Sequence, residues 1–494
     1  MTNLSRRSFV KLPLILVTSD AMRRAPEDLT ALLLSALSEA ENDADSDGLR
    51  IDLAFAFARA GDIVQSLKVA RQARKNDSRD AALYQIAAAQ AHAGDPAGAI
   101  YTIRSLHNRA YAVAVIAVEL SRSGNSKGAV DMIKAELADS DQSTYALRLL
   151  ALERERAKDY TVAEHVYKLV ATTPRERARS LRASAYARLD AGDVKAAGVA
   201  ADNTIVLLKE AIAADLKKVD AQFGFDEYRF SDDIRRSIAE HLSKMGNLAE
   251  SFINVGSIKS DYLKSHTFTK IASIRASLQD LPGAKDAIAR ASAIAARDGY
   301  RGFELADIAA ALARVGEIDR SRSAFLRALG KVGAVGNQAS VIALQAEAGD
   351  IDGAIRSVEM IPEEAVREEG RRIISRVLAN ASDFPRALKI AETIHPPELR
   401  AYAFLYIAER KTKAGDRAGA VASLGMITSS LDFLDGDTIR AIAHQWSASG
   451  DVNGAVAWAR GRTIPKRFQA RALLGVAEGM LFELQIVDAR LENP

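Results

Sequence analysis

The stretch HQWSASGDVNGAVAWAR, residues 444–460, contains a Gly-Asp pair and, four residues after the aspartate, an alanine. The same arrangement occurs in AQAHAGDPAGAIYTIR, residues 89–104, and in RKTKAGDRAGAVASL, residues 410–424. A helix often ends at a residue in the left-handed conformation, which glycine adopts at little energetic cost. Aspartate caps the start of the next helix. Each Gly-Asp pair therefore predicts a tight turn between two helices.

This turn recurs along the chain with a nearly constant period. Aligned on the glycine, the turn positions are 61, 94, 124, 158, 192, 246, 279, 316, 349, 382, 415 and 450. The steps between them are 30 to 37 residues, apart from one step of 54. Glycine occupies most of these positions, and the exceptions are Lys158, Gln279 and Ser382. A period of this size indicates a solenoid of short supersecondary units.

Small residues recur at two places in each unit. Five residues after the turn position stand Ala99, Ala129, Ala163, Ala197, Ala284, Ala354, Ala387, Ala420 and Ala455, with Ser66, Ser251 and Ser321 in the other units. Seven residues before it stand Ala54, Ala87, Ala117, Ala151, Ala185, Ala239, Ala272, Ala309, Ala408 and Ala443, with Ile342 and Ser375 as departures. One small residue on each helix lets two axes approach closely. We expect Ala408 at such a crossing and Lys411 at the surface.

With this turn and these small residues, the chain resembles the tetratricopeptide repeat family over roughly residues 40–481. The resemblance implies an all-α fold, a right-handed superhelical α-solenoid of about 12–13 helix-turn-helix repeats. The sequence departs from the family where a large aromatic residue is usual, eleven residues before the glycine. Arg50, Arg235 and Arg371 stand there in three units, which leaves the superhelical pitch open.

Breaks in the period divide the chain into four parts. We expect residues 1–25 to be an export leader or a disordered tail, and residues 26–204 to form an N-terminal array. Residues 205–232 are expected to be an insertion, and residues 233–494 a C-terminal array that ends in a capping helix. The insertion accounts for the 54-residue step.

The insertion is expected to hold an extended helix, through VLLKEAIAADLKKVD, and an aromatic loop, AQFGFDEYRFSDD. Insertions in solenoids collect on one face and can belong to a binding site. Two interpretations of the aromatic residues remain open: they cover the ends of neighbouring helices, or they contact a partner. These residues are Phe223, Phe225, Tyr228 and Phe230.

The family resemblance also implies where a partner binds. In that family the first helix of each hairpin lines a concave groove that holds extended peptides or partner helices. Carried over by spacing from each turn, this groove holds Tyr111, Tyr145, Arg148, Arg179, Arg182, Tyr186 and Arg236. Tyrosine and arginine are enriched at binding hot spots, and arginines grip carboxylates bidentately. We therefore expect an acidic or acidic-aromatic peptide, unless these are ordinary solvated helix positions.

The charge balance argues against a general nucleic-acid or membrane-surface binder. The 494 residues hold 67 Lys plus Arg and 64 Asp plus Glu, a net charge of +3, whereas such binders need a dense basic face. The longest apolar runs fall far short of the roughly 18 residues that a transmembrane helix needs. We expect a protein or peptide partner, no nucleic acid and no transmembrane segment. The oligomeric state stays open.

The start of the chain matches the twin-arginine export pattern. SRRSFVK, residues 5–11, differs from Ser-Arg-Arg-x-Phe-Leu-Lys only by Val10, and Ser-Asp-Ala at 19–21 offers a cleavage site. The apolar core LPLILV is shorter than usual for such a leader. Export to the periplasm of a bacterium and a non-functional leader in a cytoplasmic protein both remain open.

The sequence holds no evident catalytic or cofactor motif. The chain has no cysteine, and its seven histidines form no spacing typical of a metal site. GNSKG, residues 124–128, matches a nucleophile elbow as a string, but it falls on a hairpin turn instead of following a strand. We expect no catalytic residue, no metal and no cofactor.

The sequence favours a non-enzymatic scaffold that binds protein or peptide in the groove of the solenoid. A second hypothesis is an RNA-binding helical repeat of the pentatricopeptide kind, since such hairpins read bases. The near-neutral charge weighs against it. Two more hypotheses stay open: an exported factor for envelope assembly or glycan binding, and an enzyme whose site the motifs do not show.

Overall fold

The computed structural model describes residues 27–40, 43, 46–104, 106, 109–137, 140–171, 174–200, 203, 229–297, 301–332, 335–427, 431 and 434–492. Over these residues the chain forms helices, turns and short connections, and no β-strand. The helices are α1 (Glu27–Glu39), α2 (Ser46–Arg59), α3 (Ile63–Arg71), α4 (Asn76–His92), α5 (Pro96–Thr102), α6 (Arg109–Arg122), α7 (Ser126–Glu136), α8 (Ser140–Arg156), α9 (Tyr160–Val170), α10 (Pro174–Asp190), α11 (described over 194–200), α12 (Arg229–Lys244), α13 (Leu248–Ser257), α14 (Asp261–Ser277), α15 (Leu281–Arg297), α16 (Gly302–Arg314), α17 (Ile318–Lys331), α18 (Val335–Glu347), α19 (Ile351–Glu359), α20 (Glu364–Asn380), α21 (Phe384–Glu392), α22 (Pro397–Lys413), α23 (Arg417–Gly425), α24 (Gly436–Ala448), α25 (Val452–Ala459) and α26 (Lys466–Glu492).

All twelve turn positions inferred from the sequence have a left-handed backbone. Nine are glycines with φ between 81° and 95°, and the other three are Lys158, Gln279 and Ser382 with φ of 61° to 63°. Each turn joins a first helix, from α2 to α24 in even numbers, to a second helix, from α3 to α25 in odd numbers. The predicted all-α solenoid of helical hairpins is confirmed.

Hydrogen bonds at each turn explain the Gly-Asp pair, as residues 415 and 416 show. The amide of Gly415 donates to the Thr412 carbonyl at 3.0 Å, and that of Asp416 donates to the Lys411 carbonyl at 2.9 Å. This pattern closes the first helix. The Asp416 Oδ1 atom then accepts a hydrogen bond from the Gly419 amide at 2.9 Å and caps the second helix. One residue therefore serves two helix ends.

The small residues face each other across the hairpins in which one of them is serine. The Ser66 hydroxyl donates to the Ala54 carbonyl at 2.5 Å, and the Ser251 hydroxyl donates to the Ala239 carbonyl at 2.7 Å. In a unit where the serine is on the first helix, Ser375 donates to the Ala387 carbonyl at 3.0 Å. These bonds join the two predicted positions directly, so the close helix crossing is confirmed.

Lys411 is not at the surface, and that expectation is wrong. Its side chain is buried, its Nζ atom donates to the Gly419 carbonyl at 3.2 Å, and it lies 5.7 Å from the ring centroid of Phe384. Position 411 faces the second helix of its own hairpin because it lies one turn after the buried Ala408.

Neighbouring hairpins are joined by buried carboxylates fourteen residues before the turn. Asp232 on α12 accepts hydrogen bonds from the amides of Lys259 and Ser260, at 2.9 and 3.1 Å, just before α14 begins. Asp47 on α2 accepts from the amides of Arg74 and Lys75 in the same way. Each carboxylate satisfies amides that the connecting segment would otherwise leave without a partner.

By internal packing the chain divides into two compact units. Unit 1 comprises Met1–Ala129 with Ser430–Pro494, and unit 2 comprises Val130–Ser429. Residues 1–25 and most of the insertion, 205–228, lie outside the described residues. Residues 229–232, which the sequence assigned to the insertion, form the first turn of α12.

Candidate functional site

The first helices of unit 2 form a continuous layer from α10 to α22. From α10 to α22, each first helix packs on the first helix of the next hairpin. The second helices from α13 to α21 pack on the first helices before and after them. The predicted groove residues of this unit lie on the first helices α8, α10 and α12, and an ion pair between Arg182 and Glu155 joins α10 to α8.

Tyr145 and Arg148 lie one turn apart on α8. Tyr145 is 44% exposed. A large aromatic side chain that belongs to a hydrophobic core usually buries most of its surface. Arg148 is half-buried. A tyrosine and an arginine at this spacing lie on the same side of a helix and can contact one ligand together.

Arg182 on α10 is already paired within the layer. Its Nη2 atom lies 2.5 Å from the Glu155 Oε1 atom on α8, and the Tyr167 hydroxyl donates to the other oxygen of Glu155 at 2.9 Å. The Arg182 and Glu155 side chains are 23% and 11% exposed. A ligand carboxylate would have to compete with Glu155 for this guanidinium.

Tyr186 packs between neighbouring hairpins. Its ring stacks on that of Tyr160 with centroids 4.9 Å apart, and it packs against the buried cluster that includes Leu189 and Ile234. Burial raises the pKa of the Tyr186 hydroxyl, and a hydrogen bond with Ser237 on α12 opposes this rise. Tyr186 therefore links α10 to α12, with part of its surface still accessible.

The remaining groove residues are placed as follows. Arg236 on α12 forms an ion pair with Asp233 at 3.4 Å, and each side chain is about one third exposed. Arg179 lies one turn before Arg182 on α10, and its side chain is outside the described atoms. Tyr111 belongs to unit 1, where it is 42% exposed and meets Tyr84 edge to face at 5.5 Å.

The aromatic residues assigned to the insertion loop are mostly outside the described part of the chain. This applies to Phe223, Phe225 and Tyr228. Phe230 lies in the first turn of α12, where only its backbone is described. Their contact with a partner stays a prediction.

A further group on the first-helix layer of unit 2 was not identified from the sequence. His266 on α14 lies 2.7 Å, Nδ1 to Oδ2, from Asp307 on α16, and the ring of Tyr262 lies parallel to it at 6.2 Å. Tyr262 is 44% exposed. His266 stands thirteen residues before its turn, as Tyr145 does, so extending the same spacing to the later hairpins would have identified it.

The described residues offer no evident catalytic centre. No group of three or more His, Cys, Asp or Glu side chains in that part of the chain is placed to hold a metal ion. GNSKG forms a hairpin turn, in which the Asn125 side chain caps the Gly128 amide at 2.9 Å and the Ser126 and Ser121 hydroxyls lie 2.8 Å apart. Within the described residues, no helix combines the length and apolar character needed to cross a bilayer.

No protein-family model matches the chain. No curated protein matches it either. Among solved structures, the chain is similar to the yeast Tom70, with 13% sequence identity and a TM-score of 0.26. The match covers 87% of this chain and 97% of that chain. It is also similar to the pentatricopeptide repeat protein PPR10 from maize, with 15% sequence identity and a TM-score of 0.27. That match covers 95% of this chain and 74% of that chain. These neighbours are helical repeat proteins. At such scores, the fold assignment rests on the hairpins and turns of this chain itself.

Proposed function

We propose that this chain is a non-enzymatic scaffold that binds a protein or an extended peptide on the first-helix layer of unit 2. The binding surface, called here the α8–α12 face, comprises Tyr145, Arg148, Arg179, Arg182, Tyr186 and Arg236. The observation that carries the proposal is the exposure of Tyr145, 44%, beside an arginine on the same side of α8. Tyrosine and arginine are the side chains most enriched where binding energy concentrates.

The charge of α10 favours an acidic ligand. Its sequence PRERARSLRASAYARLD holds five arginines against one glutamate and one aspartate. Such an excess attracts acidic segments and raises their association rate. Because Arg182 is held by Glu155, we infer that it contributes through the local positive potential, whereas Tyr145 supplies rigid apolar contact area.

Two further surfaces extend this proposal. Tyr111 on α6 lies on a first helix of unit 1 with 42% of its surface exposed, and we propose it as a separate contact. The insertion-loop aromatics Phe223, Phe225, Tyr228 and Phe230 remain proposed partner contacts, on the sequence argument alone.

The first experiment compares two exposed apolar side chains of one hairpin. Tyr145 on the first helix is 44% exposed, and Leu169 on the second helix is 42% exposed. Affinity capture from the native cell, quantified by mass spectrometry, is carried out with the wild type, Tyr145→Ala with Arg148→Ala, and Leu169→Ala. We expect the partners kept by wild type and by Leu169→Ala to be lost from the double variant. Equal retention by all three proteins would contradict the proposed face.

The second experiment tests the acidic character of the ligand. A library of acidic and matched basic peptides is screened against the wild type and Arg148→Gln. The control is Arg320→Gln, an arginine on a second helix that is 71% exposed. Acidic peptides should be enriched by wild type and by the control, and less by Arg148→Gln. Saturable, salt-sensitive binding of single-stranded RNA on this face would instead favour the RNA-binding hypothesis.

Export is a separate part of the proposal. Arg6 and Arg7 in SRRSFVK are the residues on which twin-arginine recognition depends. We expect the wild-type chain in the bacterial periplasm, shortened at its start, and the variant with both arginines changed to lysine in the cytoplasm. Full-length wild-type protein found only in the cytoplasm would contradict this prediction and would leave the binding proposal untouched.

A further inference from the structure

Helix α26 has the features of a first helix without a second helix of its own. Ala477 is fully buried and lies 34 residues after Ala443, which is one repeat step. Gly475 and Gly479 pack against α24, since a β-carbon on Gly475 would lie 2.2 Å from the Arg440 carbonyl oxygen. However, the chain makes no turn one step after residue 450, because α26 continues to Glu492.

The N-terminal helix α1 occupies the place of the missing second helix. Within unit 1, α1 packs mainly on α26 and more lightly on α2, while α2 also contacts α26. A second helix elsewhere in the array packs in the same way, on its own first helix and on the next. The side chains of Leu29, Leu33 and Ala36 on α1 are fully buried.

Two ion-pair clusters join the same elements. The Arg471 guanidinium on α26 donates to both oxygens of Asp43, at 2.7 and 3.1 Å, in the segment between α1 and α2. The two side chains are 12% and 3% exposed. Arg440 on α24 donates to Asp52 on α2 at 2.5 Å, and to Glu478 on α26. Loss of one partner from such a pair leaves a buried charge uncompensated.

We propose that α1 and α26 form a composite thirteenth hairpin, closed by the Asp43–Arg471 pair. Helices α1, α24 and α26 then open and close as one cooperative unit. A change on α1 loosens α24 and α26, more than 380 residues away along the sequence. Any partner or protease that removes α1 from α26 acts on the C-terminal hairpins by this route. This device stands independently of the proposed function.

Hydrogen exchange with mass spectrometry on the full chain tests the proposal. The variants are Asp43→Asn, Arg471→Gln and the two combined. The control is Arg322→Gln, which breaks a bidentate pair with Asp350, 3.1 and 2.6 Å, inside unit 2. We expect Asp43→Asn to speed the exchange of amides in α24 and α26 at least tenfold, as Arg471→Gln does. The combined variant should add little to either, and the control should affect only the two hairpins that the Arg322–Asp350 pair joins, α16–α17 and α18–α19.

Exchange in Asp43→Asn that rises only in α1 and α2, with α24 and α26 at wild-type rates, would overturn the proposal. If Asp43→Asn fails to fold, Leu33→Ala tests the same proposal, because it weakens the packing of α1 and changes no charge. It too should loosen α24 and α26 together with α1.

Discussion

Asp43 and Arg471 are 428 residues apart in the sequence and form a bidentate ion pair, with Nε–Oδ2 at 2.7 Å and Nη2–Oδ1 at 3.1 Å. The pair lies between the first described helix and the last one. Repeat proteins usually need special terminal units because each repeat is stabilised by its neighbours. In unit 1 of this protein, α1 and α26 each bury the apolar side chains of the other, so among the described residues no separate terminal unit covers them.

The buried carboxylates between hairpins give a sharp stability test in unit 2. Asp232→Ala leaves two backbone amides without their acceptor, and we expect a loss of about 1–3 kcal/mol in the free energy of unfolding. The adjacent Asp233 forms only a partly exposed ion pair with Arg236, so Asp233→Ala should cost within about 0.5 kcal/mol. Denaturant unfolding measures both. Similar losses in the two variants would contradict the role of Asp232.

The three turns without glycine predict stabilising substitutions. Lys158, Gln279 and Ser382 have φ near 62°, a conformation that strains any residue with a β-carbon. Replacing each by glycine should raise the free energy of unfolding by about 0.5–1 kcal/mol. The reverse change, Gly415→Ala, should lower it by about 1–2 kcal/mol, because the strain lies in the backbone and no neighbouring atom is crowded. Unfolding midpoints that move the other way would contradict the turn assignment.

The close crossing at Ala408 predicts the effect of a larger side chain. Ala408 is fully buried, and Ala408→Leu should overpack the hairpin and cost roughly 1–3 kcal/mol. On the same helix Lys413 is about half exposed and forms an ion pair with Glu409, so Lys413→Ala should cost within about 0.5 kcal/mol. Thermal unfolding of the two variants distinguishes them. Equal midpoints would show that the helices tolerate a wider separation.

Acid should weaken the fold through the capping carboxylates. The Arg74 amide lowers the pKa of Asp47, and the Gly283 amide together with Arg275 lowers that of Asp280. A carboxylate whose pKa is lowered on folding stabilises above its unfolded pKa of about 3.9, and this contribution is lost as the pH falls through the folded value. Burial raises the pKa of Asp52, which gives a contribution of the opposite sign.

The variant Asp280→Asn isolates one of these groups, since its amide oxygen can still cap α15. Its melting temperature should lie below that of the wild type at pH 7, and the difference should shrink at about pH 3. An equal difference at both pH values would show that the charge of Asp280 does not contribute to stability.

The fold could be predicted from the sequence because the repeat depends on residue preferences at a few local positions. A left-handed turn favours glycine, and a closely packed hairpin favours a small residue on each helix, so both positions are visible in one sequence. Even the turns at Lys158, Gln279 and Ser382 were located, since the period carries across a single exception. Buried Lys411 was misplaced because a long aliphatic stem can lie in a core while its amine finds a carbonyl.

Contacts between distant elements could not be predicted from the sequence. Helices α1 and α26 pack on each other although more than 420 residues separate them, and no local sequence pattern encodes that contact. The same limit applies to the α8–α12 face. Spacing placed Arg182 on the expected helix, but its partner Glu155 belongs to the preceding hairpin and was not identified.

Site-specific photo-crosslinking in the native cell tests the central claim, that the first-helix layer binds a partner. A photoreactive phenylalanine analogue replaces Tyr145 in one variant and Leu169 in another, two positions with 44% and 42% exposure on opposite helices of one hairpin. We predict a discrete crosslinked protein from position 145 and none from position 169. Crosslinks of equal yield from both positions, or from position 169 alone, would contradict the proposed binding face.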